Sequence, residues 1–126
     1  MKHDIIIRLP WPPTVNSYYS HTPRGVYLSR KGRLYRGLVL EAIKEQGMSL
    51  GILDHMYVEV TLYPPDRRKR DLDNYMKGLL DACSHADVWE DDSLIDQLEI
   101  RRGEVVRGGI VIMEITDAGP VIPYID

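Results

Sequence analysis

The chain has 126 residues, a formal net charge of −3 and 44% hydrophobic residues, a composition typical of one soluble globular domain. No apolar run approaches the roughly 18 residues of a membrane-spanning helix, and the N-terminus lacks the apolar segment of a secretory signal. A single cysteine excludes an internal disulfide and a metal site built from cysteines. We therefore expect one cytoplasmic domain over residues 1–126, with a tail from residue 117 and no membrane contact.

The charges are distributed unevenly along the chain. Residues 1–70 carry 12 Lys and Arg against 6 Asp and Glu, whereas residues 71–126 carry 4 against 13. Such a division suits a surface that binds a polyanion beside an acidic site. A fold that interleaves the two halves would give the same counts without any such site, so both interpretations stay open.

The first predicted elements are a strand, a loop and a helix. β-Branched residues at 5–7 predict a strand that ends at the prolines following it. Residues 14–25 have the composition of a loop, and residues 25–29 that of a short strand. Ser29 is a candidate N-cap for a helix that stops at Gly47. Its mostly apolar stripe has a spacing of three and four residues: Tyr35, Leu38, Val39, Ala42, Ile43 and Gln46.

The second half of the chain predicts a strand, a helix and two more strands. Residues 56–63 place apolar side chains at every second position and end at Pro64, as a half-buried strand does. A helix is predicted to begin near Asp71. Its apolar stripe consists of Leu72, Met76, Leu79, Leu80 and Cys83. Residues 93–103 and 108–116 are expected to form a closing hairpin of two strands.

This order of elements predicts an α+β (mixed α/β) domain, with about five strands in a mixed sheet and two main helices. Cys83 lies on the apolar stripe and is expected in the core. Trp89 is expected to anchor the acidic loop around it. The histidines His3, His55 and His85 lack the spacing of metal ligands, so we do not expect them to bind a metal.

The most basic run of the chain adjoins a pair of carboxylates. The order of these residues is Arg67, Arg68, Lys69, Arg70, Asp71 and, after one leucine, Asp73. One interpretation gives these carboxylates a purely structural role. In it Asp71 is a helix N-cap and Asp73 lies in the first turn, near the positive end of the helix dipole. Lys77 follows Asp73 by four residues, so the two share a helix face and could form a surface ion pair.

Further carboxylates allow a functional interpretation of the same region. Asp81 shares the face of Lys77, and a second acidic cluster follows the helix: Glu90, Asp91, Asp92 and Asp96. Carboxylate oxygens are ligands that Mg²⁺ prefers, with waters and substrate oxygens completing its coordination. A bound metal ion can activate water beside a phosphate, and a lysine can orient that water. Neighbouring cations can bind the backbone of a nucleic acid.

Several motifs in this order resemble the RusA family of Holliday-junction resolvases. They are the proline-rich start at residues 9–21, the basic run, DLDN at residues 71–74, the following lysine, WEDD at residues 89–92 and a glycine pair before the last strand. The resemblance extends from about residue 5 to residue 116. It implies a homodimeric endodeoxyribonuclease that depends on Mg²⁺, with Mn²⁺ as a possible substitute. Its substrate would be four-way junction DNA, nicked in symmetric pairs during recombination and repair, and its location the nucleoid.

The resemblance also implies roles for individual residues. The acidic triad of the family falls on Asp71, Asp73 and Asp92, with Asp91 as the alternate for the third, and its functional lysine falls on Lys77. These carboxylates would hold the metal ion that activates water for in-line attack on a phosphodiester. The basic run, Arg67, Arg68, Lys69 and Arg70, would bind the DNA backbone. Glu90 departs from the family pattern and adds a negative charge near the site.

Two other groups of side chains could contact DNA. Residues 30–33, with Arg36, form a second basic patch. Tyr18, Tyr19 and His21 could stack on exposed bases, or could pack in the core or in a dimer interface. The alternatives to a junction resolvase are a non-catalytic protein that binds branched DNA and a metal nuclease that acts on flaps or other branched substrates.

Overall fold

The structure is a computed structural model that describes residues 4–48 and 50–117. Its elements in chain order are strand β1 (Asp4–Pro10), helix α1 (Val15–Tyr18), strands β2 (Tyr19–Thr22) and β3 (Gly25–Leu28), helix α2 (Arg30–Glu45), strand β4 (Met56–Tyr63), a first 3₁₀ turn (Leu72–Tyr75), helix α3 (Met76–His85), a second 3₁₀ turn (Asp92–Leu94) and strands β5 (Ile95–Arg102) and β6 (Ile110–Asp117). None of the helices described has the length and apolar character needed to cross a membrane. His3 and the tail after residue 117 lie outside the described residues.

The main sheet has four strands in the order β1–β6–β4–β5. β6 is antiparallel to both of its neighbours, whereas β4 and β5 are parallel. β2 and β3 form a separate two-stranded antiparallel ribbon. The predicted α+β fold with a mixed sheet and two main helices is confirmed, although the strands divide between a sheet of four and a ribbon of two.

The prediction of a closing hairpin is wrong, because β4 lies between β5 and β6. Helix α3 returns the chain from the end of β4 to the start of β5, and such a crossover makes the two strands parallel. The connection from β5 to β6 then passes over the end of β4. There the Gly103 amide donates to the Leu62 carbonyl and the Val106 amide donates to the Pro64 carbonyl.

The core lies between one face of the sheet and helices α2 and α3. Alternate residues of β4 are fully buried, as predicted: Met56, Val58, Val60 and Leu62. On α3, Leu79 and Cys83 are fully buried, which confirms the prediction for the cysteine. On α2 the predicted stripe is confirmed for Tyr35, Val39 and Ile43 but is wrong for Leu38, which is 53% exposed, and for Gln46, which is also exposed.

Helix α2 begins and ends where the sequence predicts. The Ser29 hydroxyl accepts a hydrogen bond from the Gly32 amide at 3.0 Å and so caps the helix. Gly47, with a φ of +67°, follows the helix end in the left-handed region that favours glycine. By contrast, residues 14–25 are not the simple loop that we expected, because they contain α1, β2 and the turn into β3.

The two outer strands of the sheet differ in their free edges. At β1, the side-chain amide of Gln46 accepts a hydrogen bond from the Arg8 amide and donates one to the Arg8 carbonyl, both at 2.8 Å, and so covers the edge at this residue. At β5, no described strand pairs with the outer edge. All residues of β5 except Ile95 and Ile100 are exposed, and these two are only half-buried. The sheet therefore has an open edge at β5.

Candidate active site

The chain between β4 and α3 carries the basic run and the first two carboxylates. Asp71 has an extended backbone and directly precedes the first 3₁₀ turn, which contains Asp73. Asp71 occupies the predicted N-cap position and Asp73 the first turn, but the Asp71 side chain makes no capping hydrogen bond. Lys77 lies in the first turn of α3, and all three side chains are exposed. Their charged groups are therefore accessible to a ligand from solvent.

Asp71 lies in a strongly basic groove of about 700 Å³. Five cations line this groove: Arg67, Arg68, Lys69, Arg70 and Arg102. Thr14, Asn74 and Tyr75 also line it, and Asp71 is the single carboxylate among the described lining residues. A groove with this excess of positive charge favours an anionic ligand such as a phosphate backbone. The structure thus brings the whole predicted basic run together with the first predicted metal ligand.

Arg70 differs from the rest of the basic run because its side chain is only 12% exposed. Its Nη1 lies 2.7 Å from Asp66 Oδ1, and its guanidinium lies 5.8 Å from the centre of the Trp11 ring. The Trp11 ring in turn packs against Tyr75 at a centroid distance of 4.9 Å. Arg102 Nη2 donates to the Arg70 carbonyl at 2.8 Å. Arg70 therefore stabilises the shape of the groove, whereas the three preceding cations are exposed.

Asp66 is a residue of this site that the sequence did not single out. Besides the ion pair with Arg70, its carboxylate accepts the Arg68 amide at 3.0 Å. The hydrogen bond from Arg70 and then that from the Arg68 amide lower the pKa of Asp66 to about 2. In the sequence, this role could have been inferred from the position of Asp66. It lies four residues before Arg70, at the start of a run in which all the other side chains are basic.

In the second acidic cluster, the carboxylate of Asp91 caps a turn, whereas that of the neighbouring Asp92 does not. Asp91 Oδ1 accepts the Ser93 amide at 2.9 Å and caps the second 3₁₀ turn, which lowers the pKa of Asp91. Asp92 is the exposed first residue of that turn. Trp89 is fully buried and its Nε1 donates to Ser84 Oγ at 2.7 Å, so its predicted anchoring role is confirmed. Of the two aspartates, Asp92 has the carboxylate that this turn does not use.

The two acidic clusters lie at opposite ends of β5. The second 3₁₀ turn directly precedes β5 and contacts α3, whereas Arg102, at the far end of β5, contacts the chain beside Asp71. The eight residues of β5 span roughly 25 Å. Among residues 4–48 and 50–117, no three His, Cys, Asp or Glu side chains are placed to hold one metal ion. Asp71, Asp73 and Asp92 therefore do not converge within one chain, and their joint role stays a prediction.

Asp71 and Asp73 alone are compatible with a Mg²⁺ site. This ion is usually bound by one or two carboxylates, with waters and substrate phosphates as its other ligands. The two aspartates are exposed, lie within three residues of each other and adjoin a groove that favours phosphates. Their donor atoms and position suit the ion.

Comparison with known proteins identifies the family. A family model described as "Endodeoxyribonuclease RusA" matches residues 10–115. The chain belongs to the RusA family. Relatives named crossover junction endodeoxyribonuclease RusA occur in Shigella sonnei strain Ss046, Escherichia coli strain K12 and Enterobacteria phage 82. Each is 35% identical over 113 residues, which cover 90% of this chain and 94% of the relative.

Within this RusA-family fold, Asp81 is a structural carboxylate. It accepts hydrogen bonds from the Tyr18 hydroxyl and from Arg36, whose Nη2 lies 2.7 Å from Asp81 Oδ2. Burial alone would raise the pKa of Asp81, but the hydrogen bonds from Tyr18 and Arg36 hold it below its usual value. Burial and the bond to Asp81 raise the pKa of Tyr18. Tyr18 is fully buried, which confirms packing as its role, and the charge of Arg36 is already paired.

None of the other predicted candidates is among the described residues that line the groove. His55 Nδ1 lies 2.8 Å from Asp96 Oδ1 on the half of the sheet near the second 3₁₀ turn. His85 is exposed at the end of α3. Tyr19 is half-buried and His21 exposed on β2. The remaining cations of the second basic patch, Arg30, Lys31 and Arg33, are exposed in the first turn of α2.

Proposed function

We propose that this RusA-family protein is a metal-dependent endodeoxyribonuclease that resolves four-way DNA junctions by paired symmetric nicks in recombination and repair. The observation that carries the proposal is the basic groove, in which five cations surround the exposed carboxylate of Asp71. Asp73 and Lys77 follow on the adjoining turn. Relatives that match over nearly their whole length are named crossover junction endodeoxyribonucleases.

In this proposal the groove binds one strand of the DNA. Arg67, Arg68 and Lys69 would bind phosphates, since their exposed charges would release counterions from the DNA backbone. Arg70 would act indirectly, because its guanidinium is held by Asp66 and Trp11. Arg102 adds a fifth positive charge from the end of β5.

Asp71 and Asp73 would hold Mg²⁺, or Mn²⁺ in its place, beside the bound phosphate. When bound, the ion would supply a water of lowered pKa and neutralise negative charge on the phosphate. Lys77 would stabilise the charge that develops on the phosphate oxygens in the transition state. Attack of water on phosphorus would break the bond to the 3′ oxygen and leave a 3′-hydroxyl and a 5′-phosphate.

We further propose that the active protein is a homodimer formed through β5. Acidic residues lie in the first half of β5 and its approach, and Arg101 and Arg102 end it. Antiparallel pairing of two copies would place Asp96 of each copy beside the arginines of the other. In the same pairing, the end of β5 near Asp92 in one copy would approach the end of β5 near Asp71 in the other copy. The open edge of β5 and the separation of the two acidic clusters both support this arrangement.

The function can be tested with a labelled four-way junction, a flap and a linear duplex of equal length. We expect the protein to nick the junction in symmetric pairs with Mg²⁺, to leave the linear duplex intact and to lose activity in EDTA. Asp73→Asn should abolish cleavage but retain junction binding, because it removes a metal ligand and a negative charge. Asp54→Asn, at an exposed position before β4, is the control and should cleave normally.

Two outcomes would overturn parts of this proposal. Tight junction binding without cleavage in Mg²⁺ or Mn²⁺ would indicate a non-catalytic protein that binds branched DNA. Cleavage of the flap in preference to the junction would reassign the substrate. Light scattering at micromolar concentration measures the oligomeric state, and a strict monomer would contradict the homodimer.

A further inference from the structure

The β2–β3 ribbon projects from the fold with both of its faces exposed. Only Tyr19 and Leu28, the paired residues at its base, are half-buried, and every other residue of the two strands is exposed. Val26 is 60% exposed and Tyr27 is 53% exposed. A two-stranded ribbon that covers no core gains little stability from its own contacts. Two large apolar side chains at such a position therefore suit an intermolecular contact.

The base of the ribbon is held firmly although its tip is exposed. The Ser29 amide and hydroxyl both donate to the Tyr18 carbonyl, at 3.0 and 2.9 Å. Gly32 packs so closely on this point that a Cβ atom there would lie 2.5 Å from the Tyr18 carbonyl oxygen. Towards the tip, the Tyr27 hydroxyl donates to the Arg24 carbonyl at 3.2 Å and so positions its ring beside the turn. The ribbon thus presents an oriented aromatic ring on a fixed support.

The charged residues of the ribbon and of the first turn of α2 are all positive. Residues 5–40 contain no Asp or Glu. Four exposed cations lie at the turn of the ribbon and in the first turn of α2: Arg24, Arg30, Lys31 and Arg33. Cations in the first turn of a helix are unfavourable because the helix dipole is positive there, and this turn has no acidic residue. Arg36 differs from these four, since it is paired with Asp81. The surface therefore fits a polyanion.

The ribbon lies close to the candidate active site. Thr14 lines the basic groove, and the four residues of α1, which rise about 6 Å, connect it to the start of β2. Tyr18, at the end of α1, packs on Gly78 of α3, the residue after Lys77. A DNA strand bound in the groove could therefore continue past Lys77 towards the ribbon.

We propose that the ribbon and the first turn of α2 form a second DNA contact that recognises the branch point of a junction. Arg24, Arg30, Lys31 and Arg33 bind phosphates, and Tyr27 packs against a base at the branch point. A linear duplex stacks its bases continuously, whereas a branch point exposes base faces that an aromatic or apolar side chain can cover. This inference rests on the proposed function. It gives that function a means of distinguishing branched DNA from a linear duplex. A DNA partner is favoured over a protein partner because the ribbon and the first turn of α2 carry only positive charges.

The test compares the binding of a fluorescent four-way junction and a linear duplex in EDTA, so that cleavage plays no part. Tyr27→Ala should weaken junction binding by about tenfold, the loss expected for one stacked base, and leave duplex binding nearly unchanged. Tyr27→Phe keeps the ring and should bind as the wild type does. Tyr27→Leu, a second variant with apolar bulk but no ring, should fall between them. Thermal unfolding checks that each variant is folded.

The cations are tested by the dependence of junction affinity on salt. Lys31→Gln should reduce the slope of log affinity against log salt by about one. Lys44→Gln, in the last turn of the same helix, should leave the slope unchanged. If the wild type binds no junction, both the proposed function and this inference fail. If the wild type binds and Tyr27→Ala binds equally well, or loses duplex and junction affinity alike, only this inference fails. Loss of self-association in Tyr27→Ala would overturn it as well, by indicating a contact between copies of the chain.

Discussion

Arg36 and Asp81 join helices α2 and α3 through two hydrogen bonds, from Nη2 at 2.7 Å and from Nε at 3.2 Å to the same carboxylate oxygen. Both side chains are less than one-third exposed. The Tyr18 hydroxyl donates to the same oxygen, so the network also includes α1. The network thus fixes the base of the β2–β3 ribbon against the helix that carries Lys77.

Arg36→Met should destabilise the fold, because it leaves the half-buried carboxylate of Asp81 without its cation. We expect a loss of about 1–3 kcal/mol in the free energy of unfolding. Urea unfolding at neutral pH measures this loss. Arg30→Met, at an exposed position on the same helix, is the control and should change stability much less. Equal losses in the two variants would contradict the structural role of the pair.

Asp66 should make the stability of the protein depend on pH in the acid range. Its pKa is about 2 in the folded protein, below the ordinary value of 3.8. The unfolded chain therefore binds more protons between these values, so the stabilisation is present above about pH 4 and is lost as the pH falls towards 2.

Asp66→Asn removes this titrating carboxylate and so tests the predicted pH dependence. Between pH 4 and pH 2 its free energy of unfolding should fall less steeply than that of the wild type, as measured by urea unfolding at several pH values. Some dependence should persist, because Asp81 and Asp91 also have lowered pKa values. Asp54→Asn should keep the slope of the wild type. A wild-type slope in Asp66→Asn would exclude the ion pair with Arg70 as the cause.

Two glycines of α2 should respond in opposite directions to alanine. At Gly32 a Cβ atom would lie 2.5 Å from the Tyr18 carbonyl oxygen, so Gly32→Ala should destabilise the protein by about 1–3 kcal/mol. At Gly37 no atom of the described residues lies within 4 Å of such a Cβ, so Gly37→Ala should stabilise the protein by up to about 1 kcal/mol. Thermal unfolding of both variants tests the pair, and a stabilised Gly32→Ala would contradict the close approach of α1 to α2.

Substitutions at the neighbouring aspartates Asp91 and Asp92 should have different effects, the first on stability and the second on cleavage. Asp91→Ala removes the cap from the Ser93 amide, so it should lower the melting temperature and retain junction cleavage. Asp92→Ala should leave the melting temperature unchanged and abolish cleavage, if Asp92 acts in the proposed site. The two variants serve as each other's control. Retained cleavage in Asp92→Ala would remove this residue from the site.

Local patterns predicted the parts of this fold that depend on neighbouring residues. The alternation along β4 is confirmed, and the apolar stripe of α3 is confirmed for Met76, Leu79 and Cys83, since each pattern depends only on which face of one element is buried. The cap at Ser29 and the stop at Gly47 are confirmed for the same reason. The basic run also lines one groove, because consecutive residues of a short loop remain together.

Features that depend on distant contacts were not predictable in this way. The hairpin prediction failed because the position of β4 between β5 and β6 follows from the path of α3, not from any residue near the turn. The charge of Arg36 is paired with an aspartate 45 positions away, which no local pattern shows. The separation of Asp71 from Asp92 likewise follows from the parallel pairing of β4 and β5.

Gln46 has a consequence for how large an assembly of this protein can grow. A sheet with two open edges can add further copies at both sides and extend into a fibre. By bonding the Arg8 amide and carbonyl, the Gln46 side chain blocks the outer edge of β1 at that residue, whereas no such contact is described at the outer edge of β5. Two copies that pair through β5 use up the open edge of each. In the proposed dimer, growth of the sheet through β5 would end at two copies, and Gln46 would hinder further growth through β1.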